Sequence, residues 1–346
     1  MDPRRPTSAD VAARAGVSRT TVSFVMNGRD DMAISTATRQ RVLDAAAELA
    51  YQPHHSARQL RGGTSHTLGL VLRQSAEQVA SDALLAETLR GLTSTARAGG
   101  YRVLIEPLAI GEGTFEDLVH SRRTDGLVVS GPRLDDSALH RLAGERFPIV
   151  LQGSLPGLDV PSVDVDNVAG ATAAVEHLVA LGYQRIGCVT NAPPAYTSAA
   201  ERLDGYRRAL RAADLPTDDD LVVAADFDAQ SGHRAMAELI ARGRPLDAVF
   251  VASDVVALGA IAAIRETGRR VPDDVALVGF DDIPIAGFID PPLTTVRLPA
   301  FELGAAAGRA LLDRIAGRDV PERTLLSTEL VIRASTRPVG ERTEAR

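Results

Sequence analysis

Two fold classes follow one another in this 346-residue sequence: an all-α headpiece built on a helix-turn-helix, then an α/β core of two Rossmann-like lobes. Three observations predict them. Residues 8–27, SADVAARAGVSRTTVSFVMN, read as two short helices about a glycine turn. Beyond Gly63, short β-branched runs alternate with helical stretches, as repeated βαβ units require. Those strands fall into two runs of four or five, more than one sheet of ordinary size takes, so two lobes are expected.

In the headpiece, Thr7 and Asp10 have the spacing of a capping box at the start of the first helix. Val11, Ala12 and Ala15 recur on one face, and Gly16 stands where the chain needs a positive φ to leave the helix. Val17 plugs the turn and Ser18 is a good N-cap for the second helix. That helix points Val22 and Val25 inward, leaving Arg19, Thr20, Thr21, Ser23 and Phe24 nearer its outer face, until Gly28 closes it. Small residues at a helix crossing and an outward row of Arg, Thr and Ser describe a DNA-reading element. Ser35 caps a third helix, in which Val42, Leu43, Ala46 and Leu49 are placed to cover the first two. Tyr51-Gln52-Pro53 ends it, and residues 54–61 form a short helix-capable segment before Gly62-Gly63.

The core strands are predicted at 67–73, 101–106, 126–130, 149–151 and 162–165, then at 185–190, 221–225, 248–251 and 276–280. Helices are predicted at 80–98, 168–181, 198–212, 229–241 and 255–267, with a long helix at 300–316 and a last strand near 324–332. Continuous apolar strands imply parallel sheets covered on both faces, with ligands bound outside the carboxyl ends of the strands, in the cleft between lobes.

Apolar content of 45% and charged content of 24% suit an ordinary globular protein. No apolar run reaches the ~20 residues of a membrane span, and the N-terminus has no hydrophobic secretory region, so a cytoplasmic protein without membrane partners is expected. The single cysteine, Cys188, within an apolar strand, allows no internal disulfide and reads as an inert core residue. The net charge of −7 is unevenly spread. Residues 1–63 hold nine Arg against six Asp/Glu, a balance of +3, whereas the remainder holds 29 against 39, a balance of −10. A basic module on an acidic body suits local phosphate contact. All 38 basic residues are Arg, which reads as coding bias.

The blocks DVAARAGVS, TVSFVMNG, TRQRVLDAAAELAYQP and ARQLRGG resemble the headpiece and hinge of the lactose-repressor (LacI/GalR) family of bacterial transcription regulators. SVDVDNVAGATAAVEHLVALGYQRIGCVT, ERLDGYRRAL, PLDAVFVASDVVALGAIAAI, VPDDVALVGFDDIP and PPLTTVRLP continue the resemblance in family order, over roughly residues 7–336. It implies an α/β periplasmic-binding-protein-like core in which the chain crosses between lobes more than once. The expected divisions are a headpiece at 1–53, a hinge at 54–66, a first lobe of 67–165 with 297–328, a second of 166–296 with 329–338, and a polar tail at 339–346. The lobes are expected to carry both effector binding and dimerisation. The tail lacks a leucine heptad, so no tetramerisation helix is expected there.

By resemblance, Arg19 and Thr20 face base edges in the major groove, where Arg donates twice to guanine and the Thr methyl packs on a thymine methyl. Ser18, Thr21 and Ser23 suit phosphate contacts at the helix N-terminus, with Asn27 completing the set. Phe24 departs from relatives that carry Arg, and either reads DNA or packs on the third helix. In the hinge, Leu60 holds the position of a minor-groove wedge between Ala57 and Arg61, and His54 stands where relatives have Asn; a plain flexible linker is the alternative. In the cleft, Asp281 and Arg202 match the family's effector contacts. Ser253 replaces a common Asn, Phe227 falls where relatives place a stacking aromatic, and Arg73, Gln74 and Gln152 would close the pocket from the first lobe. Arg73 leaves open an acidic ligand, a sugar acid or sugar phosphate, beside a neutral sugar.

The function this implies is a homodimeric repressor of a carbohydrate-use operon, reading a pseudo-palindromic DNA operator and controlled by a sugar-like effector acting as inducer or corepressor. The alternative is a sugar-binding receptor of the same two-lobed type without DNA function. No cofactor, metal site or enzyme chemistry is expected. There is no GxxxxGK[ST], HExxH or GxSxG, Gly111-Glu112-Gly113 lacks the third glycine of a dinucleotide loop, and His120, His140, His177 and His233 have no metal spacing.

Overall fold

The computed structural model describes residues 6–26, 34–51, 64–109, 111, 114–145 and 147–340. They divide into two compact units, Met1–Ser65 and His66–Arg346.

The first unit holds α1 (Ser8–Ala15), α2 (Arg19–Met26) and α3 (Thr36–Glu48). The Thr7 hydroxyl accepts from the Asp10 amide, and the Asp10 carboxylate accepts from the Thr7 amide at 2.7 Å, closing the capping box. Gly16 turns the chain at φ 66°, in the left-handed region that glycine enters without Cβ strain. Val11, Ala12, Ala15, Val22, Val25, Val42, Ala45 and Ala46 form the buried core, whose small side chains let the three helices cross closely. Leu43 is 42% exposed, not buried as expected. The apolar stripe of α3 runs through Val42, Ala45, Ala46 and Leu49, the i, i+3, i+4, i+7 positions, and Leu43 lies one residue off it.

The second unit contains two six-stranded sheets. The first has the order β11-β5-β4-β3-β1-β2, drawn from β1 (Thr67–Leu72), β2 (Arg102–Pro107), β3 (Gly126–Ser130), β4 (Ile149–Gln152), β5 (Ser162–Val165) and β11 (Arg323–Leu326), all parallel. The second runs β12-β10-β9-β8-β6-β7, from β6 (Ile186–Thr190), β7 (Val222–Ala224), β8 (Ala248–Val251), β9 (Ala276–Asp281), β10 (Thr294–Arg297) and an antiparallel edge, β12 (Glu329–Val331). The chain therefore passes between sheets after β5, after β10 and after β11. The expected single strand at 324–332 is two strands in different lobes, because Ser327-Thr328 is the last of these crossings.

Helices α4 (Ala76–Ser81), α5 (Leu85–Ala98), α6 (Phe115–His120), α7 (Ser137–Ala143) and α12 (Ala300–Ile315) pack on the first sheet; α8 (Asn167–Ala180), α9 (Thr197–Ala212), α10 (Ala229–Ala241) and α11 (Asp254–Glu266) pack on the second. Each sheet is buried on both faces, and β1 shows the alternation. Leu68, Leu70 and Leu72 join the layer of α5 and α12, while Val71 joins that of α6 and α7. The helix expected at 80–98 is broken at Asp82, whose carboxylate accepts from the Leu84 and Leu85 amides at 2.9 and 3.1 Å in the turn between α4 and α5. Among the described residues, no helix is long and apolar enough to cross a membrane.

Candidate functional site

Two arrangements carry the polar chemistry. The first is α2. Its N-terminus is fixed by Ser18, whose Oγ accepts from the Thr21 amide at 3.0 Å and lies 2.9 Å from the Thr21 hydroxyl. Arg19 and Thr20 beside it are exposed, whereas Thr21, Ser23 and Phe24 are half-buried. Val22 and Val25, buried on the opposite face, hold that row outward. The helix N-terminus, with the Arg19 guanidinium next to it, forms a surface that attracts phosphate and can donate to base edges. Asn27, His54, Ala57, Leu60 and Arg61 lie outside the described residues.

The second is a cavity of about 170 Å³ between the two sheets of the core, lined by Gln74, Gln152, Arg202, Phe227, Ser253 and Asp281 among others. Its walls are strand ends. Ser130 and Gln152 close β3 and β4, Asn191 and Ser253 follow β6 and β8, and Asp281 ends β9, so the parallel topology delivers their side chains to one place.

Arg202 is the hub. Its Nε donates to Asn167 Oδ1 at 2.9 Å, its Nη1 donates to the Ala252 carbonyl at 2.6 Å and to Asp281 at 3.3 Å, and its guanidinium lies 3.8 Å from the centre of the Phe280 ring. Asn167 passes the network on, donating to Glu201 at 3.0 Å and to Asp164 at 3.3 Å. Behind Asp281 sits Asp254, fully buried, which accepts from the Thr295 hydroxyl at 2.6 Å and the Ile283 amide at 3.0 Å. Gly279 makes room for it, since a Cβ there would lie 2.1 Å from Asp254 Oδ1.

Burial raises the carboxyls of this cluster. Asp281 is pushed up to about 6 by desolvation, against the opposing pull of Arg202 and Ser253. Asp164 reaches about 7, raised by burial and then by the nearby Glu201 charge. Asp254 is raised well above the usual range by burial and by Asp281, and Asp82 is raised by burial. Strain gathers here as well. Asp281, Asp282 and Phe227 have φ of 120°, 54° and 64°, conformations that L-residues rarely adopt outside sites that require them. The Phe227 ring is held edge-on to Tyr196 at 4.8 Å.

Contacts across the lobes flank the cavity. The Tyr196 hydroxyl donates to the Arg73 carbonyl at 2.7 Å, and the Leu134 amide donates to Ala195 at 2.8 Å. Gln78 reaches Asp226 at 2.8 Å, and Ser154 reaches Glu201 at 2.8 Å.

The comparisons agree with this geometry. Residues 7–54 match the model of bacterial regulatory proteins of the lacI family, and residues 175–336 match a periplasmic binding protein-like domain. The transcriptional repressor CytR of Escherichia coli (strain K12) is 37% identical over 336 residues, covering 96% of each chain. The chain belongs to the lacI family of bacterial regulatory proteins. Among solved structures, this lacI-family chain is similar to the regulator CelR in complex with cellobiose, at a TM-score of 0.75 and 35% identity, covering 96% of this chain and all of that one. It is also similar to the lac repressor dimer bound to operator and the anti-inducer ONPF, at a TM-score of 0.84 and 31% identity with the same coverage.

Within this lacI-family core, six of the seven expected effector contacts line the cavity: Gln74, Gln152, Arg202, Phe227, Ser253 and Asp281. Arg73 does not. Its side chain turns to the opposite layer, where it pairs with the buried Asp136 at 2.8 Å, donates to the Leu108 carbonyl at 2.6 Å and lies 4.9 Å from the centre of the Phe115 ring. Alternation explains it, since Arg73 continues the side of β1 that carries Val71. Sequence reasoning missed Asp82, Asp164, Asn167 and Asn191. Asp164 and Asn167 stand inside the quoted block SVDVDNVAG and Asn191 directly follows β6, but nothing in the sequence placed them on the cavity wall.

Proposed function

We propose that this chain is a sequence-specific transcriptional regulator acting in the cytoplasm, a homodimeric repressor of a carbohydrate-utilisation operon whose operator affinity is set by a sugar-like effector in the core cavity. The observation that carries the reading is the union, in one chain, of a helix with its Arg and Thr row exposed and a two-lobed core whose cavity converges amides, hydroxyls and carboxylates beside an aromatic ring. The lac repressor dimer on operator and CelR with cellobiose support the two halves of this reading.

Arg19 and Thr20 read base edges, and Ser18, Thr21 and Ser23 anchor phosphates, with Phe24 and Asn27 beside them. In the hinge, Leu60 acts as the minor-groove wedge, flanked by His54, Ala57 and Arg61. Two copies read the two halves of a pseudo-palindrome, because two-fold protein symmetry imposes two-fold operator symmetry. Phe288, 89% exposed, and Ile285, 51% exposed, offer an apolar patch for the second copy.

In the cavity, Asp281 and Arg202 bind ligand hydroxyls, Phe227 packs on the ring face, and Gln74, Gln152 and Ser253 complete the contacts. The effector acts by binding two lobe arrangements unequally, and that difference limits how far it shifts operator affinity. Contacts such as Tyr196–Arg73 and Gln78–Asp226 bridge the lobes in the arrangement described, so a change of the angle between lobes has to break them. The mechanism has no catalytic step.

Deletion of residues 1–63 tests the assignment. The shortened protein is expected to lose retention of its upstream DNA in a gel shift while its thermal response to sugars persists. Equal DNA retention by both forms would remove the headpiece from the mechanism, and turnover of a bound sugar would make the protein an enzyme.

A further inference from the structure

The cavity wall is unbalanced in two ways. Its ionisable groups, among the described residues, are three carboxyl groups, Asp82, Asp164 and Asp281, against one guanidinium, Arg202; Asp164, held at about 7, carries only part of its charge at neutral pH. That guanidinium is 7% exposed and already committed to Asn167, Ala252 and Asp281. The cation expected to draw an acidic ligand, Arg73, is paired with Asp136 on the far side of its sheet. The negative wall is also shared between lobes, because Asp82 from the first bears on Asp281 from the second and resists its ionisation.

The second imbalance is in hydrogen bonds. Gln152 and Asn191 are lining residues of the cavity, and their side-chain oxygens, Oε1 and Oδ1, are shut off from solvent and accept from no group in the protein. A small turn of either amide is therefore needed to present its oxygen to a ligand. Asn191 is only 4% exposed, and its amide nitrogen is turned to Ser198 at 3.4 Å. A buried acceptor without a donor is unfavourable, a deficit that a ligand O–H removes on reaching it. Hydroxyls donate; phosphate and carboxylate groups only accept when ionised, and they add negative charge to a wall that already repels it.

On the reading of the cavity as the effector site, we propose that it selects a neutral, hydroxyl-rich ligand and rejects the phosphorylated and acidic derivatives of the same skeleton, with Asn191 and Gln152 as hydroxyl acceptors and Asp82 as part of the anion barrier. A phosphate group on the ligand would face Asp82, Asp164 and Asp281 with no free cation among the described lining residues. The neutral parent instead supplies the missing donors.

The test is titration calorimetry on the full-length chain with matched sets: cellobiose, glucose and ribose, with glucose 6-phosphate, ribose 5-phosphate and glucuronate. The neutral member is expected to bind roughly tenfold or more tightly than its charged partner. Asn191→Leu and Gln152→Leu should each weaken that binding by roughly tenfold, and Asp82→Asn should narrow the gap to the phosphorylated member by roughly fivefold, with the melting temperatures of the free variants checked first. A charged member that binds as well as its parent overturns the proposal and leaves the cavity an effector site. Absence of binding by every neutral member overturns both the proposal and the sugar-effector reading beneath it. Unchanged affinity in the Asn191 and Gln152 variants removes those two acceptors and with them the hydrogen-bond half of the case.

Discussion

Arg202→Met is the substitution whose cost follows most directly from the structure. It keeps most of the side-chain volume but removes the cation, and its stacking on the Phe280 ring, from a pair whose side chains are both 7% exposed. Asp281 is left buried without its counter-charge, and the Asn167 oxygen and Ala252 carbonyl each lose a donor. Breaking a buried pair from one side costs about 3–5 kcal/mol. At roughly 2–4 °C per kcal/mol for a unit of this size, the core should melt about 6–20 °C lower at neutral pH. Removing the second charge should return part of the loss, since Asp281→Asn leaves no buried anion to compensate. The assay is a double-mutant cycle on melting temperature with Arg202→Met, Asp281→Asn and the pair. Acidity gives an independent check. Burial holds the Asp281 carboxyl at about 6, above its unfolded value, and loss of Arg202 raises it further. The neutral form needs no partner, so the penalty of Arg202→Met should shrink as pH falls toward 5 and grow as it rises to 8. A penalty that is independent of pH, with a coupling below about 0.5 kcal/mol, would refute the hub assigned to Arg202.

Further expectations concern other parts of the chain. Arg19→Ala should cost about 1–3 kcal/mol on the best operator and relax base preference, read by binding to single-base operator variants; uniform weakening would make it a phosphate contact. Leu60→Ala should weaken operator binding while sugar calorimetry stays normal, and loss of both would point to misfolding. Gly279→Ala forces a methyl against the buried Asp254, so it should lower the melting temperature in differential scanning fluorimetry; an unaffected core would show that Asp254 moves freely. Asp164, held at about 7 by burial and Glu201, favours the fold below its unfolded value and loses that contribution as pH rises through 7, so Asp164→Asn should flatten the fall in melting temperature between pH 5 and 8.

Much of the fold was legible because strands buried on both faces are written as unbroken apolar runs. The strands at 126–130, 162–165 and 248–251 carry the predicted bounds. Legibility failed where length or packing decides. Helices at Phe115–His120 and Ser137–Ala143 are too short to show a period, though Thr114 and Asp136 mark their starts by accepting from the amides three residues on. Asp82 hid inside a run of good helix formers. In the site, position along a strand end was readable but direction was not. Arg73 and Gln74 are neighbours, and alternation sends only Gln74 to the cavity. The buried acceptors of Gln152 and Asn191 needed the folded wall to be seen at all.

On the function proposed above, occupancy of the core cavity controls the grip of the headpiece on DNA. The most direct measurement of this control is the dissociation constant of the full-length chain for a fluorescent duplex from its own upstream region, at fixed salt, with and without a sugar that calorimetry shows to bind. A change of roughly fivefold or more is expected at saturating sugar, abolished in Asp281→Ala. An identical constant with the cavity full and empty contradicts it.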